Sequence, residues 1–468
     1  MHPHFTRSCL LLSLTSLFVA CEDPNGLHVA STPEAPFTEI VDPAPERPQA
    51  PLGQAWLRSF GTGDASAFAT DRVGNLVVAG LYRESIDLGG GTRVPPEGTS
   101  YSPFIAKYTP EGELLMALTF PGYTLNSEGQ VVHLVVGEDD SIAIASSYHG
   151  PLNLGRGPLP FDDTSFDIFV AKFDSEGRPL WSRGFSGRGY QGVSGLVGAP
   201  NGGLWLSGSF QEQLRLDDVV LEGDAADLYV ARLDADGKVI GARRYGGDYD
   251  EQAFGLAAMP DGGVVVTGGF NGEVNFGAPG TVVALDNAAF EGFVLRIGPD
   301  GVERWVRTFR GVGRQAVTAV ATGPTDDVVI AGVYGGPLEG LGQDALIPPE
   351  GVQAMFLAGL DSEGATKWRR AFDEPLDIFA HPLTIDEDGQ IHFFRATLAG
   401  ELRVHRAGLD GAVVADEGLG VPVALRAAFV TRTAYALSGR WWRLDQPSFL
   451  GLPVKLDDGP HFIVRTLR

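Results

Sequence analysis

Several short acidic segments contain residue types that could bind a metal ion. They follow the pattern Asp-x-x-Gly, as in Asp174-Ser175-Glu176-Gly177, Asp234-Ala235-Asp236-Gly237 and Asp361-Ser362-Glu363-Gly364. These segments resemble fragments of calcium loops, but they lack the further ligands and the terminal Glu of an EF-hand. Asp and Gly are also what a tight hairpin turn requires. The turn interpretation is therefore favoured, and we predict no metal site.

A recurring cation is the second such feature. It occupies one place in several apolar runs, at Lys107, Lys172, Arg232, Arg296 and Arg465. A ring of cations could bind a ligand, but a structural salt bridge repeated in each unit is the simpler interpretation. The histidines show no metal-ligand spacing, and the motifs Gly-x-Ser-x-Gly, phosphate loop and His-Glu-x-x-His are absent. We predict no catalytic residues and no cofactor.

Two adjacent tryptophans, Trp441 and Trp442, are the predicted ligand-binding residues. Paired aromatic rings can stack on sugar rings or anchor a protein contact. Such rings also cover the edge of a hydrophobic core, and both interpretations remain open.

The chain begins with the pattern of a secretory signal. Arg7 supplies the positive charge, and the apolar run that ends at Val19 is too short to span a membrane. Phe18-Val19-Ala20-Cys21 then resembles the lipobox of bacterial lipoproteins, in which the Cys is lipidated and becomes the new N-terminus. The resemblance implies a signal peptide at residues 1–20 and acyl chains such as palmitate on Cys21. An ordinary secretory signal cleaved nearby is the alternative.

Residues 21–54 differ in composition from the rest of the chain. Prolines at positions 24, 33, 36, 43, 45, 48 and 51, with few large apolar residues between them, predict a disordered tether. The whole chain has a formal charge of -24. This charge argues against nucleic acid and anionic lipid headgroups as partners. Because the only other cysteine is Cys9 inside the signal, we predict no disulfide.

Residues 55–468 contain a repeat of about 60 residues, a period typical of stacked units or propeller blades. Each unit has four predicted strands. The first is rich in small residues, and the second ends in Gly with an aromatic residue two positions later. The third resembles Phe169-Val170-Ala171-Lys172-Phe173, and the fourth often begins with Trp, as in Trp181-Ser182-Arg183-Gly184-Phe185. Short strands with tight turns predict an all-β fold.

The ends of the chain indicate how the repeat closes. The last unit stops after its third strand, Phe462-Ile463-Val464-Arg465-Thr466-Leu467. The missing fourth strand precedes the first unit, at Ala55-Trp56-Leu57-Arg58-Ser59-Phe60-Gly61. Third-strand copies begin near residues 104, 169, 229, 293, 356, 403 and 462. We therefore predict a seven-bladed β-propeller of four-stranded blades, closed by an N-terminal outer strand that completes the last blade.

The sixth unit is the poor copy. It is short, its second strand lacks the Gly, and Arg403 and His405 stand where other copies are apolar.

These units resemble the bacterial seven-bladed β-propeller repeat (SBBP repeat) of secreted and lipid-anchored surface proteins. The matching features are Phe-Val-Ala-Lys-Phe-Asp-x-x-Gly at residues 169–177, the Trp-x-x-x-Phe just after it, and Gly246-Gly247-Asp248. The resemblance covers residues 55–468 and brings no defined activity or catalytic motif.

The leading hypothesis is a non-catalytic, lipid-anchored monomer at the bacterial cell envelope, at the outer membrane or cell surface. It would touch the membrane through its lipidated N-terminus only, and bind a protein or polysaccharide through loops such as residues 83–102, 149–166, 271–289 and 335–353. A quinone-cofactor or other propeller enzyme and a purely structural envelope protein are the alternatives.

Overall fold

The computed structural model describes residues 55–95, 101–120, 131–161, 164–277, 280–284, 290–372, 382–396, 401–431, 434–441, 448–449, 452–453 and 461–467. Regular structure within these ranges is all β, apart from one 3-10 turn at Pro200–Gly202. The predicted signal peptide, the tether and Cys21 lie outside the described residues.

The strands are mostly seven residues long, which is typical of compact antiparallel sheets. In the first half of the chain they are β1 (Trp56–Ser59), β2 (Gly63–Thr70), β3 (Leu76–Tyr82), β4 (Ile86–Asp87), β5 (Thr92–Arg93), β6 (Ser102–Tyr108), β7 (Leu114–Thr119), β8 (His133–Val136), β9 (Ile142–Tyr148), β10 (Asp167–Phe173), β11 (Pro179–Phe185), β12 (Gly187–Arg188), β13 (Gly195–Gly198), β14 (Leu204–Phe210), β15 (Gln213–Leu216), β16 (Val219–Glu222), β17 (Asp227–Leu233) and β18 (Val239–Tyr245). The second half has β19 (Glu251–Ala258), β20 (Val264–Phe270), β21 (Glu273–Asn275), β22 (Thr281–Val283), β23 (Glu291–Ile297), β24 (Glu303–Gly311), β25 (Gln315–Thr322), β26 (Val328–Tyr334), β27 (Leu338–Glu339), β28 (Ala354–Leu360), β29 (Thr366–Phe372), β30 (Leu383–Ile385), β31 (Ile391–Ala396), β32 (Glu401–Ala407), β33 (Val413–Val430), β34 (Ala434–Trp441), β35 (Ser448–Phe449), β36 (Leu452–Pro453) and β37 (His461–Leu467).

The main strands form antiparallel four-stranded units that succeed one another along the chain. Sheet one is β2-β3-β6-β7, sheet two β8-β9-β10-β11, sheet three β13-β14-β17-β18, sheet four β19-β20-β23-β24 and sheet five β25-β26-β28-β29. Sheet six (β30-β31-β32-β33) and sheet seven (β33-β34-β37-β1) are two parts of one continuous sheet.

The long strand β33 explains why the sixth unit is short. It pairs with β32 from Val413 to Pro422 and then with β34 from Val423 to Val430. One strand thus serves as the last strand of sheet six and the first strand of sheet seven, without the loop that joins other sheets.

A repeated glycine–aromatic pair links the second and third strands. Gly268 lies opposite Phe293, and Gly332 lies opposite Phe356. A Cβ on Gly268 or Gly332 would lie 2.6 or 2.5 Å from the opposing ring. The bare backbone of glycine therefore makes room for a buried ring, which accounts for the Gly that ends the predicted second strands.

The first strands of successive sheets contact one another in chain order. The contacts run from β2 through β8, β13, β19, β25 and β30 to β33, which in turn contacts β2. In four of these first strands the pairing with the second strand of the same sheet skips one residue. The skipped residues are Ser66, Phe254, Thr318 and Arg426. Such a bulge bends the strand and increases its twist.

The two ends of the repeat meet in sheet seven. β1 pairs with β37 from Trp56 opposite Arg465 to Ser59 opposite Phe462. This is the pairing predicted for the N-terminal strand. Sheet seven also reaches sheet one through Ser438, whose Oγ donates to the carbonyl of Ala65 at 2.6 Å.

A tryptophan clasp joins many neighbouring sheets. Trp305 begins the fourth strand of sheet four, and its Nε1 donates to the Ser362 carbonyl of sheet five at 2.7 Å. Its ring also covers Gly364, where a Cβ would lie 2.8 Å away. Equivalent clasps join Trp56 to Pro110 and Gly112, Trp181 to Ala235 and Gly237, and Trp368 to Leu409 and Gly411.

Three sheets have another residue at the position of the tryptophan. Met116 replaces it in sheet one and covers Gly177 of sheet two, and Ala415 takes the position in sheet six. Sheet three has Gly241 there, and a Cβ on Gly301 of sheet four would meet no atom within 4 Å. Gly301 has a φ of +77° and Gly364 one of +79°, so the two glycines share one backbone conformation, although Gly298 stands where Asp361 caps the second turn.

This pair of glycines isolates the energy of the clasp. Gly301→Ala should cost about 1–2 kcal/mol of unfolding free energy, since a side chain is strained at positive φ. Gly364→Ala should cost roughly 1–3 kcal/mol more, because its methyl group also displaces the Trp305 ring. Denaturant unfolding of both variants measures the difference, and equal losses would contradict the clasp.

Candidate binding face

The connections between second and third strands carry extra hairpins at one end of the sheets. β4 pairs with β5, β15 with β16, β21 with β22 and β35 with β36, and short bridges join Asn153 to Pro158 and Leu338 to Leu346. The connections from each fourth strand to the next first strand lie at the same end, because neighbouring strands are antiparallel. We call this end the hairpin face. It contains all four loops that the sequence indicated as ligand-binding.

Glycines of the sheet-to-sheet connections hold these hairpins in place. A Cβ on any of them would overlap a hairpin carbonyl, as in the pairs Gly61 with Ser85, Gly187 with Gln213, Gly247 with Glu273 and Gly311 with Pro337. β12 and β24 also pair with β15 and β27 of the next hairpins. The Gly-rich stretches of the repeat therefore position a rim of anchored hairpins.

The opposite end of the sheets consists of tight turns. Oδ1 of Asp174 accepts the backbone N–H groups of Glu176 at 2.9 Å and Arg178 at 2.8 Å. Asp234 and Asp361 make the same two bonds in their own turns. These carboxylates thus stabilise turns, as the sequence indicated. Within the described ranges no group of three or more His, Cys, Asp and Glu residues is placed to hold a metal ion.

The recurring cations stabilise the third strands and the junctions between sheets. Lys107 pairs with Asp71, and Arg296 with Asp261, each at 2.6 Å within one sheet. The other three donate to carbonyls of the next sheet, which are Gly202 for Lys172, Pro299 for Arg232 and Pro110 for Arg465. The predicted salt bridge is present at the first two positions, and a carbonyl takes the place of the carboxylate at the other three.

Sheet six has a polar cluster where the other sheets have the glycine–aromatic pair. Arg395 lies opposite Arg403, in the register of Gly332 and Phe356 in sheet five. Asp416 joins the two cations, with Oδ2 at 2.8 Å from Nη2 of Arg395 and Oδ1 at 3.2 Å from Nε of Arg403. The guanidinium of Arg395 is almost fully buried.

His405 belongs to the same cluster. Its Nδ1 lies 3.2 Å from Oδ2 of Asp416, and its ring meets that of Phe372 edge-on. Burial, with a smaller contribution from Arg370, lowers the pKa of His405 to about 4. Burial opposes ionisation of Asp416, but Arg395 and His405 outweigh it and lower its pKa. At neutral pH the cluster therefore contains a neutral imidazole and an ionised carboxylate.

At three junctions between sheets, an aspartate or glutamate lies close to a glutamine or to a second glutamate. Glu251 and Gln315 open β19 and β25, and Gln191 precedes β13 and bridges to Phe210. Each of the three donates its backbone N–H to the preceding sheet. The acceptor is the residue just before Asp167, Asp227 or Glu291, respectively. All of these acids and glutamines are buried.

Glu251 therefore stands where two other junctions have glutamine. A Cβ on Gly246 would overlap the Asp227 carboxylate and lie 2.9 Å from Oε2 of Glu251, so the two carboxyl groups are close. Burial raises the pKa of Glu251 to about 9, despite a hydrogen bond from Gly247. Burial also raises the pKa of Asp227 to about 6, although Arg244 opposes the shift. A protonated Glu251 can donate a hydrogen bond as glutamine does.

Trp441 ends β34, opposite Val423. The side chain of Trp441 and the whole of Trp442 lie outside what the structure describes, so the binding role of both stays a prediction.

Similar solved structures were found, all at low sequence identity. A chain of the mitotic checkpoint complex is 13% identical with a TM-score of 0.46, and covers 89% of this chain and 96% of its own. The Pan2 WD40 domain of Neurospora crassa is 12% identical with a TM-score of 0.41, and covers 89% and 97%. Catalytically inactive virginiamycin B lyase from Staphylococcus aureus, solved with quinupristin, is 9% identical with a TM-score of 0.39, and covers 89% and 100%.

No protein-family model matches the chain, and no curated protein matches it. The consecutive four-stranded sheets and the ordered contacts between their first strands identify a β-propeller repeat architecture. In the described part of the chain no helix is long and apolar enough to cross a membrane.

The Glu251 junction predicts a pH-dependent stability. Because the folded protein keeps this proton at a pH where the unfolded chain releases it, stability should fall as pH rises from about 4.5 to about 9. Glu251→Gln removes this loss and should stabilise the protein at pH 8 more than at pH 5. The gain should be on the order of 1 kcal/mol or more, since one pKa unit corresponds to about 1.4 kcal/mol.

Gln315→Glu is the reciprocal control, since Gln315 is fully buried at the equivalent place. It should introduce the same loss of stability towards high pH. Thermal unfolding from pH 4.5 to 9 measures both variants. Parallel pH profiles for the wild type and Glu251→Gln would show that Glu251 is ionised at neutral pH.

Proposed function

We propose that the chain is a seven-bladed β-propeller, closed by β1, that serves as a non-catalytic binding protein of the bacterial cell envelope. It acts as a monomer attached through a lipidated Cys21 and binds a protein or polysaccharide through the hairpin face. The cyclic order of first-strand contacts and the pairing of β1 with β37 support the closed ring.

The difference between the two ends of the sheets is the observation that carries this proposal. One end has only tight turns, whereas the other has a rim of hairpins anchored by glycine contacts. Ligands usually bind to such loops on a rigid scaffold. Large apolar side chains are exposed on the hairpin face, namely Val94, Phe161, Val220, Tyr249, Val312 and Ile347.

The polar clusters support binding more than catalysis. Asp416 is committed to Arg395, Arg403 and His405, and the acidic turns are committed to backbone N–H groups. A general base needs a free position towards a substrate. A chemical activity that survives purification and maps to residues of the sheets would overturn the non-catalytic assignment.

Charged substitutions at the two ends test the binding face. Val94→Asp and Ile347→Asp change side chains on the hairpin face that are 70% and 65% exposed. Each should weaken binding of the purified protein to cells of a deletion strain at least tenfold, because a carboxylate disrupts an apolar contact. Val73→Asp is the matched control, since Val73 is 76% exposed in a turn at the opposite end.

Binding to the cells is measured by flow cytometry before and after treatment with protease or periodate. Sensitivity to protease would identify a protein partner, and sensitivity to periodate a polysaccharide. An equal effect of Val73→Asp and the hairpin-face variants would overturn the proposed face, and absence of cell binding would favour a purely structural role.

Anchoring is tested separately at Cys21. Cys21→Ser removes the thiol that would carry the acyl chains, so the protein should move from the membrane fraction to the soluble fraction and lose palmitate labelling. Cys9→Ser is the control, because Cys9 lies within the predicted signal. Unchanged membrane attachment and labelling in Cys21→Ser would rule out this anchor.

A further inference from the structure

Sheet seven departs from the repeat at one pair of residues on the hairpin face. Arg440 lies opposite His461, where sheet five has the buried apolar pair of Val333 and Met355. Residues directly opposite in antiparallel strands project to the same side of the sheet. The side chains of Arg440 and His461 therefore project to the same side of sheet seven. Val at position 440 and Met at position 461 would match the pair in sheet five.

Further cations surround this pair at the junction of sheets seven and one. Arg426, the bulged residue of β33, pairs with Asp64 of sheet one at 2.9 Å. Arg83 comes directly after β3 of sheet one, and Asp64, Arg440, Arg426 and Arg83 all act electrostatically on His461. Within the described residues, three guanidinium groups and the carboxylate of Asp64 thus act on His461, in a chain whose formal charge is -24.

Within the described residues, the side chains of Arg83, Arg440 and His461 have donors or acceptors that are available to a ligand. There, Arg440 is exposed and has no hydrogen-bond or ion-pair partner, and Nδ1 of His461 is buried without one. The side chain of Arg83 is 51% exposed, and its ion pair with the more exposed Glu84 is long, at 4.0 Å. The ion pair between Arg426 and Asp64 joins the two sheets.

We propose that Arg83, Arg440 and His461 form a binding site for an oxyanion, a carboxylate, sulfate or phosphate group. Guanidinium groups bind such groups through paired, charge-assisted hydrogen bonds. Arg440 and Arg83 supply these donors from sheets seven and one, and His461 lies opposite Arg440. Arg426 stays bound to Asp64 and keeps the floor of the site in place. The inference rests on the proposed role of the hairpin face in binding. The charges at this junction would hold an oxyanion group carried by the macromolecule that binds there.

A variant that restores the repeat tests the site without disturbing the fold. Arg440→Val combined with His461→Met recreates the pair found in sheet five. Its thermal midpoint should equal or exceed that of the wild type, because the change removes the buried Nδ1 of His461, which has no hydrogen-bond partner. Its affinity for the oxyanion should fall at least tenfold. Arg83→Gln should weaken binding in the same direction.

The measurement is isothermal titration calorimetry of the full-length protein at low ionic strength. Inorganic sulfate and phosphate test the free anions, and galacturonate against galactose tests a carboxylate carried by a sugar. Arg188→Gln is the control, because Arg188 is an exposed arginine elsewhere on the hairpin face, paired with Glu222. Its affinities should be unchanged.

Three results would overturn the proposal. They are the absence of binding of all the anions to the wild type, equal affinity in the restored variant, and equal binding of galactose and galacturonate. Since this assay uses purified protein and small anions, it can fail while the cell-binding assay of the hairpin face succeeds, and the reverse also holds.

Discussion

The contact between an indole ring and a glycine of the next sheet is the interaction on which the rest of the structure depends. The turn that receives the ring is preformed, because an aspartate such as Asp361 accepts two of its backbone N–H groups. Gly364 supplies the positive φ that closes this turn and the bare surface that the ring of Trp305 covers. One four-residue turn therefore ends a hairpin and fixes the distance to the neighbouring sheet. In a repeat protein stability is carried by such nearest-neighbour contacts, which leaves the hairpin face free to vary.

The strict register between second and third strands makes departures from the repeat informative. A glycine–aromatic pair recurs at one position and an apolar or small pair at the next. Sheet six replaces the first with Arg395 and Arg403, and sheet seven replaces the second with Arg440 and His461. A buried charge requires a partner, and in sheet six Asp416 is that partner for Arg395. Arg440 in sheet seven is exposed, and the described residues offer its side chain no hydrogen-bond or ion-pair partner. A charged residue at a position that is apolar or small in the other sheets is the kind of departure expected at a functional site.

The sequence predicts much of the fold, because each strand has its own pattern of apolar residues, Gly and Trp. It places the acidic turns, the N-terminal strand beside β37 and the irregular sixth unit correctly. It does not show which residues meet across a junction between sheets, since these are far apart in sequence: 30 positions for Lys172 and Gly202, and 57 for Trp305 and Ser362. For this reason the sequence predicts a carboxylate partner for Lys172, which in fact binds a carbonyl of the next sheet. The pairing of Glu251 with Asp227 and the location of Arg440 beside His461 depend on the same unseen contacts.

An oxyanion site is compatible with so acidic a chain because the charges act over different distances. At physiological ionic strength the field of an exposed charge falls off within about 8 Å, so most of the carboxylates act weakly on the junction of sheets seven and one. Burial reduces the acidic field further, since Glu251 keeps its proton well above neutral pH. Arg83, Arg426 and Arg440 all act electrostatically on His461. The local surplus of positive charge therefore decides what binds there, while the net charge keeps the molecule soluble and disfavours extended polyanions such as nucleic acid.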